Sequence, residues 1–464
     1  MNEIAEQLNK APSRPLLAAV GDAMARHRGA IQAIQWLVVL FYLGLLIYPA
    51  FLPLPTEYAH FYENLILFAQ FVFWGIWWPF VMVSMMLLGR VWCGVFCPEG
   101  ALSEWASRHG LGRAIPRWMR WSGWPFVAFA MTTLYGQLVS VYEYPKAALL
   151  VLGGSTVAAM IVGFVYGRGK RVWCRHLCPA NGVFALLSRL APIHMQVDRA
   201  VWRAAPHRTP AIDCAPLINI RNMTGNGECH MCGRCSGHRE AVALAVRPPN
   251  QEILSLRGRD VSRWEALLLV FGMLGIATGA FQWSASPWFI ALKQQLAGWL
   301  INHNAFVLLQ DNAPWWLLTH YPEANDVFSW LDGIVILLYI GCTALVIGGG
   351  VLLMLRMAGG LLKHAGIPWR FAYGLTPLAG LSVFLGLSAL TVTMLKAERF
   401  SLEWVPGVRL ALLAGAMLWS GRLVWRMVMG YNEVPLWRRW IAWSGIMAGA
   451  SLVILSWVLM FYVW

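Results

Sequence analysis

Nine apolar runs, at about 36–54, 66–89, 122–140, 146–166, 264–283, 330–355, 371–395, 408–428 and 440–463, divide the chain. At about 1.5 Å per residue, a helix over each run spans a hydrocarbon core of roughly 30 Å. The pattern therefore predicts an all-α polytopic membrane protein of about nine transmembrane helices. The polar connections alternate in charge. The N-terminal tail is basic, as are the connections bearing Arg90, Arg108, Arg113, Arg117 and Arg120; Arg168, Lys170 and Arg171; Arg356, Lys363 and Arg370; and Arg422, Arg426, Arg438 and Arg439. Those between them carry Glu57, Glu63, Glu143, Asp311, Glu323 and Asp326 and few bases. The positive-inside bias assigns the basic group to the cytoplasm, with the N-terminus inside and Trp464 outside. Arg422 and Arg426, at the end of the eighth run, are expected to snorkel to that side.

Two longer polar stretches complete the plan. Residues 1–35, with Glu3, Glu6, Arg14, Asp22, Arg26 and Arg28 and no apolar h-region, form a cytoplasmic N-terminal tail and not a cleaved signal. Residues 36–192 form a four-helix membrane domain. Residues 193–263 form a small cytoplasmic domain, rich in Pro, Arg and Asn, that needs a staple to fold. Residues 264–464 form a C-terminal membrane domain whose outer-face segment, 284–329, mixes Trp288, Trp299, Trp315 and Trp316 with prolines and is expected to hold interfacial helices.

Composition narrows the class. With 58% hydrophobic and 12% charged residues, the apolar sequence exceeds what a soluble core absorbs. The excess of 36 basic over 22 acidic residues reads as an orientation signal, and no basic soluble fold suggests nucleic acid as a partner.

The chemistry lies in a phrase used twice. Arg90-Val91-Trp92-Cys93-Gly94-Val95-Phe96-Cys97-Pro98 recurs as Arg171-Val172-Trp173-Cys174-Arg175-His176-Leu177-Cys178-Pro179, identical at six of nine positions. Each copy follows an apolar run and precedes a short amphipathic stretch, 99–108 or 180–190, so a larger unit is repeated. Proline suits the first position of a helix, which places Cys97 and Cys178 at about the N-caps. There the helix dipole is expected to lower the thiol pKa and favour an anionic ligand or cluster. Four cysteines in two equivalent loops can supply the four sulfurs of one iron–sulfur cluster; the alternative is two redox-active or unused cysteine pairs.

A second set sits in the polar segment. Cys229-x2-Cys232-x2-Cys235 has the three-ligand spacing of a bacterial ferredoxin run, but the following Cys-Pro is missing and Arg239 stands in its place. The fourth ligand is expected to be Cys214, with His230 or His238 as the alternative. A four-cysteine zinc site fits the same arithmetic, although zinc usually takes two separated pairs. Cys342, in an apolar helix, is expected to be a packed core thiol. All eight proposed ligands fall on the reducing, cytoplasmic side, which disfavours disulfides. The described histidine pattern does not suit a transmembrane haem, since none lies deep in a run; His303 and His320 read as surface residues and His207 and His364 as loop residues.

With the Cys-x3-Cys-Pro pair followed by a ferredoxin-type run, the sequence resembles the membrane-bound polyferredoxin family of the NapH, NosR and CcoG type. Its long C-terminal half is similar to the FtrD-like iron–sulfur component of bacterial ferrous-iron uptake systems. The family usually carries two complete ferredoxin runs where this chain has one incomplete run.

The resemblance implies electron transfer with two [4Fe-4S] clusters, one on Cys93, Cys97, Cys174 and Cys178 and one on Cys214, Cys229, Cys232 and Cys235. It implies a cytoplasmic electron donor, a location in the bacterial inner membrane, and a partner such as an iron permease with periplasmic iron-binding proteins. Arg175, His176, Arg221 and Arg234 are expected to tune the potentials. Both clusters would lie on one side, so a quinone or a partner's cofactor is a candidate third carrier. Alternatives are an assembly or metal-reduction factor for a respiratory metalloenzyme and a quinone-linked electron-transfer subunit. A permease reading is disfavoured because the later helices lack buried acids.

Overall fold

The computed structural model describes residues 16–464 except 57, 206–208, 211 and 364–365. Residues 1–15, with Glu3, Glu6 and Arg14, and also Glu57, His207 and His364, lie outside the described residues.

Among the described residues, eight helices are long and apolar enough to cross a membrane: α2 (Arg28–Phe51), α3 (Leu65–Leu88), α6 (Pro145–Val165), α9 (Arg263–Ala285), α11 (Trp330–Leu361), α12 (Pro368–Ala397), α13 (Val405–Met429) and α14 (Leu436–Val463). Their starts follow local chemistry. The Asn64 side chain accepts from the N–H groups of Ile66 and Leu67 at the head of α3, and Ser329 with Asp332 forms a reciprocal capping box on α11.

The expected helix at 122–140 differs from these. It forms α5 (Trp124–Leu138), 15 residues long. That is about 22 Å, short of a roughly 30 Å hydrocarbon core. Its ends nevertheless lie at opposite levels of the protein. Trp121, just before it, meets Trp264 at the head of α9 with ring centroids 4.9 Å apart. The Leu138 carbonyl accepts from the N–H of Thr319 at 2.8 Å, in the segment leading to α11. α5 thus returns the chain between α3 and α6, and the two cysteine phrases emerge on the same face.

Between the long helices lie short ones: α1 (Leu16–Arg26), α4 (Pro98–Arg108), α7 (Val172–His176), α8 (Asn181–Ser188) and α10 (Pro287–Asn302). α10 and a small ribbon, β3 (His320–Tyr321) with β4 (Asp326–Val327), make up most of the ordered structure in 284–329, where a set of interfacial helices was expected. The stretches after the two phrases are buried: Gly182 through Ser188 of α8 are all buried, and so is most of α4. α4 crosses α6 so closely that a Cβ on Gly163 would sit 2.4 Å from the Ser103 carbonyl oxygen.

The polar segment forms an antiparallel ribbon, β1 (Ile193–Val197) with β2 (Val242–Val246), and the Cys229–Cys235 run lies in the long connection between them. α1, in the expected tail, covers it: Met24 packs on Gly233, and Ser236 donates to Asp22. The main core unites α3, α8, α9 and α11 to α14, with Trp457 fully buried and donating to Ser382.

Candidate metal centre

α3 ends at Gly89, whose φ of +68° a side chain would strain; a Cβ there would also meet the Met231 sulfur at 2.5 Å. The polar segment is therefore seated against the residue that leads into the first phrase. Residues 92–96 form a π-helical turn, and the Cys97 N–H donates to the Trp92 carbonyl at 2.9 Å. In the second phrase residues 172–176 are α-helical, yet the Cys178 N–H donates to Trp173 at 3.0 Å, the same closure five residues back.

The phrases diverge after this point. Cys97 caps α4, with Pro98 first in the helix and the Gly100 N–H donating to its sulfur at 3.4 Å. Cys178 is no cap: a turn at Pro179 and Ala180 intervenes, and α8 begins at Asn181. The expected lowering of the thiol pKa is also reversed. Burial pushes Cys97 and Cys178 well above the ordinary thiol range, and the neighbouring cysteines and Glu99 push the same way. Cys174 is pushed up to about 12, burial outweighing Arg171. At Cys97 one N–H to the sulfur cannot offset desolvation, two nearby thiols and Glu99.

That crowding tests the donor set. Cys97 and Cys178 each feel Cys93 and Cys174, so the four thiols of both phrases are gathered in one electrostatic neighbourhood. Four thiolates can be held there together only against metal charge, which deprotonates thiols outright. The residues fit a cluster.

The second set converges as well. Cys214, Cys229, Cys232 and Cys235 line one small cavity, otherwise walled largely by apolar groups such as Met195, Ile212 and Met223. Burial first, then the other cysteines, pushes Cys229 well up and Cys235 to about 12. Cys214 is raised chiefly by burial. Its loop is tied to the second phrase, where the Arg171 N–H donates to Ala215 at 2.8 Å and Lys170 donates to the Cys214 carbonyl at 3.2 Å. His230 also lines the cavity, whereas His238 turns to Trp202 at 5.1 Å between rings.

A zinc ion needs its sulfurs about 2.3 Å from one point. A cubane, with each sulfur on a separate iron, takes the three-ligand Cys-x2-Cys-x2-Cys spacing of the second set. Cys342 belongs to neither set; it is exposed on α11 and is not the packed core thiol expected.

One buried ion network joins the sets. Arg171, 1% exposed, donates from Nε to Glu104 at 2.8 Å and from Nη1 to the Cys93 carbonyl at 2.6 Å. Arg234, from the cysteine run, donates to the same carboxylate, as does Arg108. Burial alone would raise Glu104, but Arg171 and Arg234 hold it at about 2. Arg90, 2% exposed, donates to the Gly227 carbonyl at 2.9 Å and to Asn181 at 2.6 Å. At Gly94, between the first pair of cysteines, a Cβ would lie 2.2 Å from the His230 carbonyl oxygen and 2.8 Å from the Cys232 nitrogen. The backbones of the two sets are therefore in direct contact.

The sequence reading missed Arg90, Arg171 and Glu104 as parts of the centre. The signal was present, since both arginines open the repeated phrase, but their charge was read as topological. The expected tuning residues fare unevenly. Arg234 is in the network, Arg175 pairs with Glu228 at 2.7 Å, and Arg221 is exposed. Burial, then Arg175 and Arg120, lowers His176 to about 4, so it is neutral at pH 7 and supplies no positive charge.

Two segments, residues 70–122 and 150–196, match the family model described as a 4Fe-4S binding domain, and each contains one phrase. Cys214 and the run from Cys229 to Cys235 lie outside both. The Escherichia coli (strain K12) protein named "Putative electron transport protein YccM" is 24% identical over 246 residues, covering 47% of this chain and 67% of that protein. No solved structure gives a significant match. Together these findings support an iron–sulfur electron-transport protein, and the eight long apolar helices a membrane protein.

Proposed function

We propose that this protein is a membrane electron carrier with two [4Fe-4S] clusters, one on Cys93, Cys97, Cys174 and Cys178 and the other, ferredoxin-like, on Cys214, Cys229, Cys232 and Cys235. The observation that carries this reading is the contact at Gly94, which sets the two groups of cysteines back to back. A cubane at each set supplies a one-electron redox change. The chain's own residues do the rest: the cysteines bind, the apolar walls exclude water, and Arg171, Glu104 and Arg234 fix one set against the other.

The face is then cytoplasmic, in a bacterial inner membrane with the N-terminus on the same side, a reading that the basic connections support. Electrons arrive from a cytoplasmic donor. A recess of about 170 Å³ lined by Arg28, Arg108, Arg234 and Cys232, with Asp213 as its one acid, suits an acidic carrier beside the second set. They leave toward a membrane or periplasmic partner, in the leading case an iron permease with its periplasmic iron-binding proteins, in support of iron uptake.

One observation favours a quinone-linked second reading. An apolar recess of about 750 Å³ between α2 and α6, lined by Leu46, Leu150, Gly153, Thr156 and Met160, also reaches Leu102 on the helix that Cys97 caps. A quinone tail suits such a lining.

The test is iron and acid-labile sulfide per chain, with EPR of the dithionite-reduced protein after anaerobic purification in detergent. About eight irons with two interacting cubane signals are expected. About four irons would leave one set without a cluster and overturn the two-cluster reading.

A further inference from the structure

His230 has no protein partner where it would be expected to need one. It is 2% exposed, and neither ring nitrogen meets a hydrogen-bonding group of the protein. His60, His109 and His303, which are more exposed, each engage a carboxylate or carbonyl. A buried imidazole with two orphaned nitrogens is costly unless something outside the polypeptide satisfies it.

Its position indicates what that is. The residue stands between Cys229 and Cys232 in the wall of the second cavity, so its main chain belongs to the ferredoxin-like set. Its carbonyl lies against Gly94, between the first pair of cysteines of the other set. The charges acting on the imidazole are Arg90, Arg171 and Arg175, all from the two repeated phrases. The next residue, Met231, packs its sulfur against Gly89 at the head of the first phrase. His230 therefore occupies the partition between the sets.

We propose that His230 is a bridging residue: a ring N–H donates a hydrogen bond to a sulfur of the cluster on Cys93, Cys97, Cys174 and Cys178, while its main chain carries two ligands of the other cluster. This rests on the two-cluster reading above. A donor to cluster sulfur favours the reduced state and raises the potential. It also completes a path of covalent bonds and one hydrogen bond between the sets. One electron passes from the reduced to the oxidised set, His230 keeps its proton, and no bond forms or breaks. His230 is thereby a positioning and tuning residue and not a cluster ligand.

The test uses the full-length protein, purified anaerobically with ¹⁵N-labelled histidine. Pulsed EPR is expected to show a weak ¹⁵N coupling on the cubane signal that Cys178→Ser abolishes. In His230→Phe that coupling disappears and the same signal titrates at a more negative potential, at unchanged iron content. His230→Gln, which keeps an N–H donor, moves the potential back toward the parent value. Two intact signals with no ¹⁵N coupling on the phrase-bound one, or an unshifted potential in His230→Phe, would overturn the bridge alone. A strong coupling on the ferredoxin-like signal would overturn it too, by making His230 a ligand. Only one cubane signal in the parent protein would instead sink the two-cluster reading and the bridge with it. If His230→Phe fails to fold, the labelled parent protein decides.

Discussion

The two cysteine sets are made of different material. The first is cut from membrane-helix ends: Cys93 and Cys97 hang from α3, Cys174 and Cys178 follow α6, and the helices after them are buried in the body of the protein. The second lies in a long connection of a two-stranded ribbon, walled by a few apolar side chains and covered by α1. The difference teaches where rigidity comes from. Helix packing fixes the first set whether or not metal is bound, while the second has little core of its own and depends on its ligands and on the seam with the first.

The largest effect should come from breaking either set separately. Cys178→Ser or Cys97→Ser is expected to remove about four of roughly eight irons and one cubane signal, leaving the other signal in place. Because helix packing holds the first set, the polypeptide should stay folded. Cys232→Ser should remove the other signal and, by contrast, expose the 193–263 segment to protease. Full iron in Cys97→Ser and in Cys178→Ser would show that the phrases do not share a cluster.

Glu104 tests the seam. It is 4% exposed and takes Arg171, Arg234 and Arg108 together. Glu104→Gln leaves buried guanidinium groups uncompensated and should cost on the order of 3–5 kcal/mol, read as a lower thermal midpoint. The pH dependence has a definite sign. The carboxyl is lowered from 4.5 to about 2 in the folded protein, so the ionised form is the one the fold binds. Its stabilisation is full above about pH 4.5 and is lost as the pH falls toward about 2. Magnetic interaction between the two signals should fade over that window in the parent protein, and a Glu104→Gln protein should lack that step. An interaction unchanged down to pH 2 would show that Glu104 does not hold the seam.

Gly94→Ala probes the same seam by shape. The added methyl meets a carbonyl oxygen at 2.2 Å and a backbone nitrogen at 2.8 Å, neither of which can rotate aside. The backbones must part, at a cost of about 1–3 kcal/mol. Both signals should survive with weaker mutual coupling, and an unaltered spin interaction would mean that Gly94 does not set their separation.

How much of this was legible follows from how local each signal is. Apolar runs and cysteine spacing are local, and they predicted the helices, the convergent phrases and the placing of Cys214 beside the Cys229–Cys235 run. Arg171 and Glu104 are 67 residues apart, and no pattern along the chain shows that one neutralises the other. Positive-inside counting treated Arg90 and Arg171 as solvated, whereas both are buried. Their identity in two phrases was the better guide, because an orientation signal needs charge in a loop but not at a fixed place within it. The helix expected at 122–140 is present as α5 but shorter, because Leu138 ends it where the chain turns to meet Thr319, a contact made 181 residues away. The exposure of Cys342 likewise depends on which side of α11 the other helices cover.

The smallest expected effect concerns the outer edge of the comparison, where the second set faces solvent. Arg108 is about half exposed and lines the recess that also contains Cys232, and its pair with Glu104 duplicates what Arg171 and Arg234 already provide. Arg108→Gln should therefore change stability by less than about 1 kcal/mol. Its effect should appear in kinetics: the rate of reduction by an acidic one-electron carrier should fall at low ionic strength and converge on the parent rate as salt screens the recess. Reduction of the first set by a small neutral reductant should not change. Equal rates for parent and variant at every salt concentration would move the donor's docking place away from this recess and leave the second set's solvent edge without a role in electron arrival.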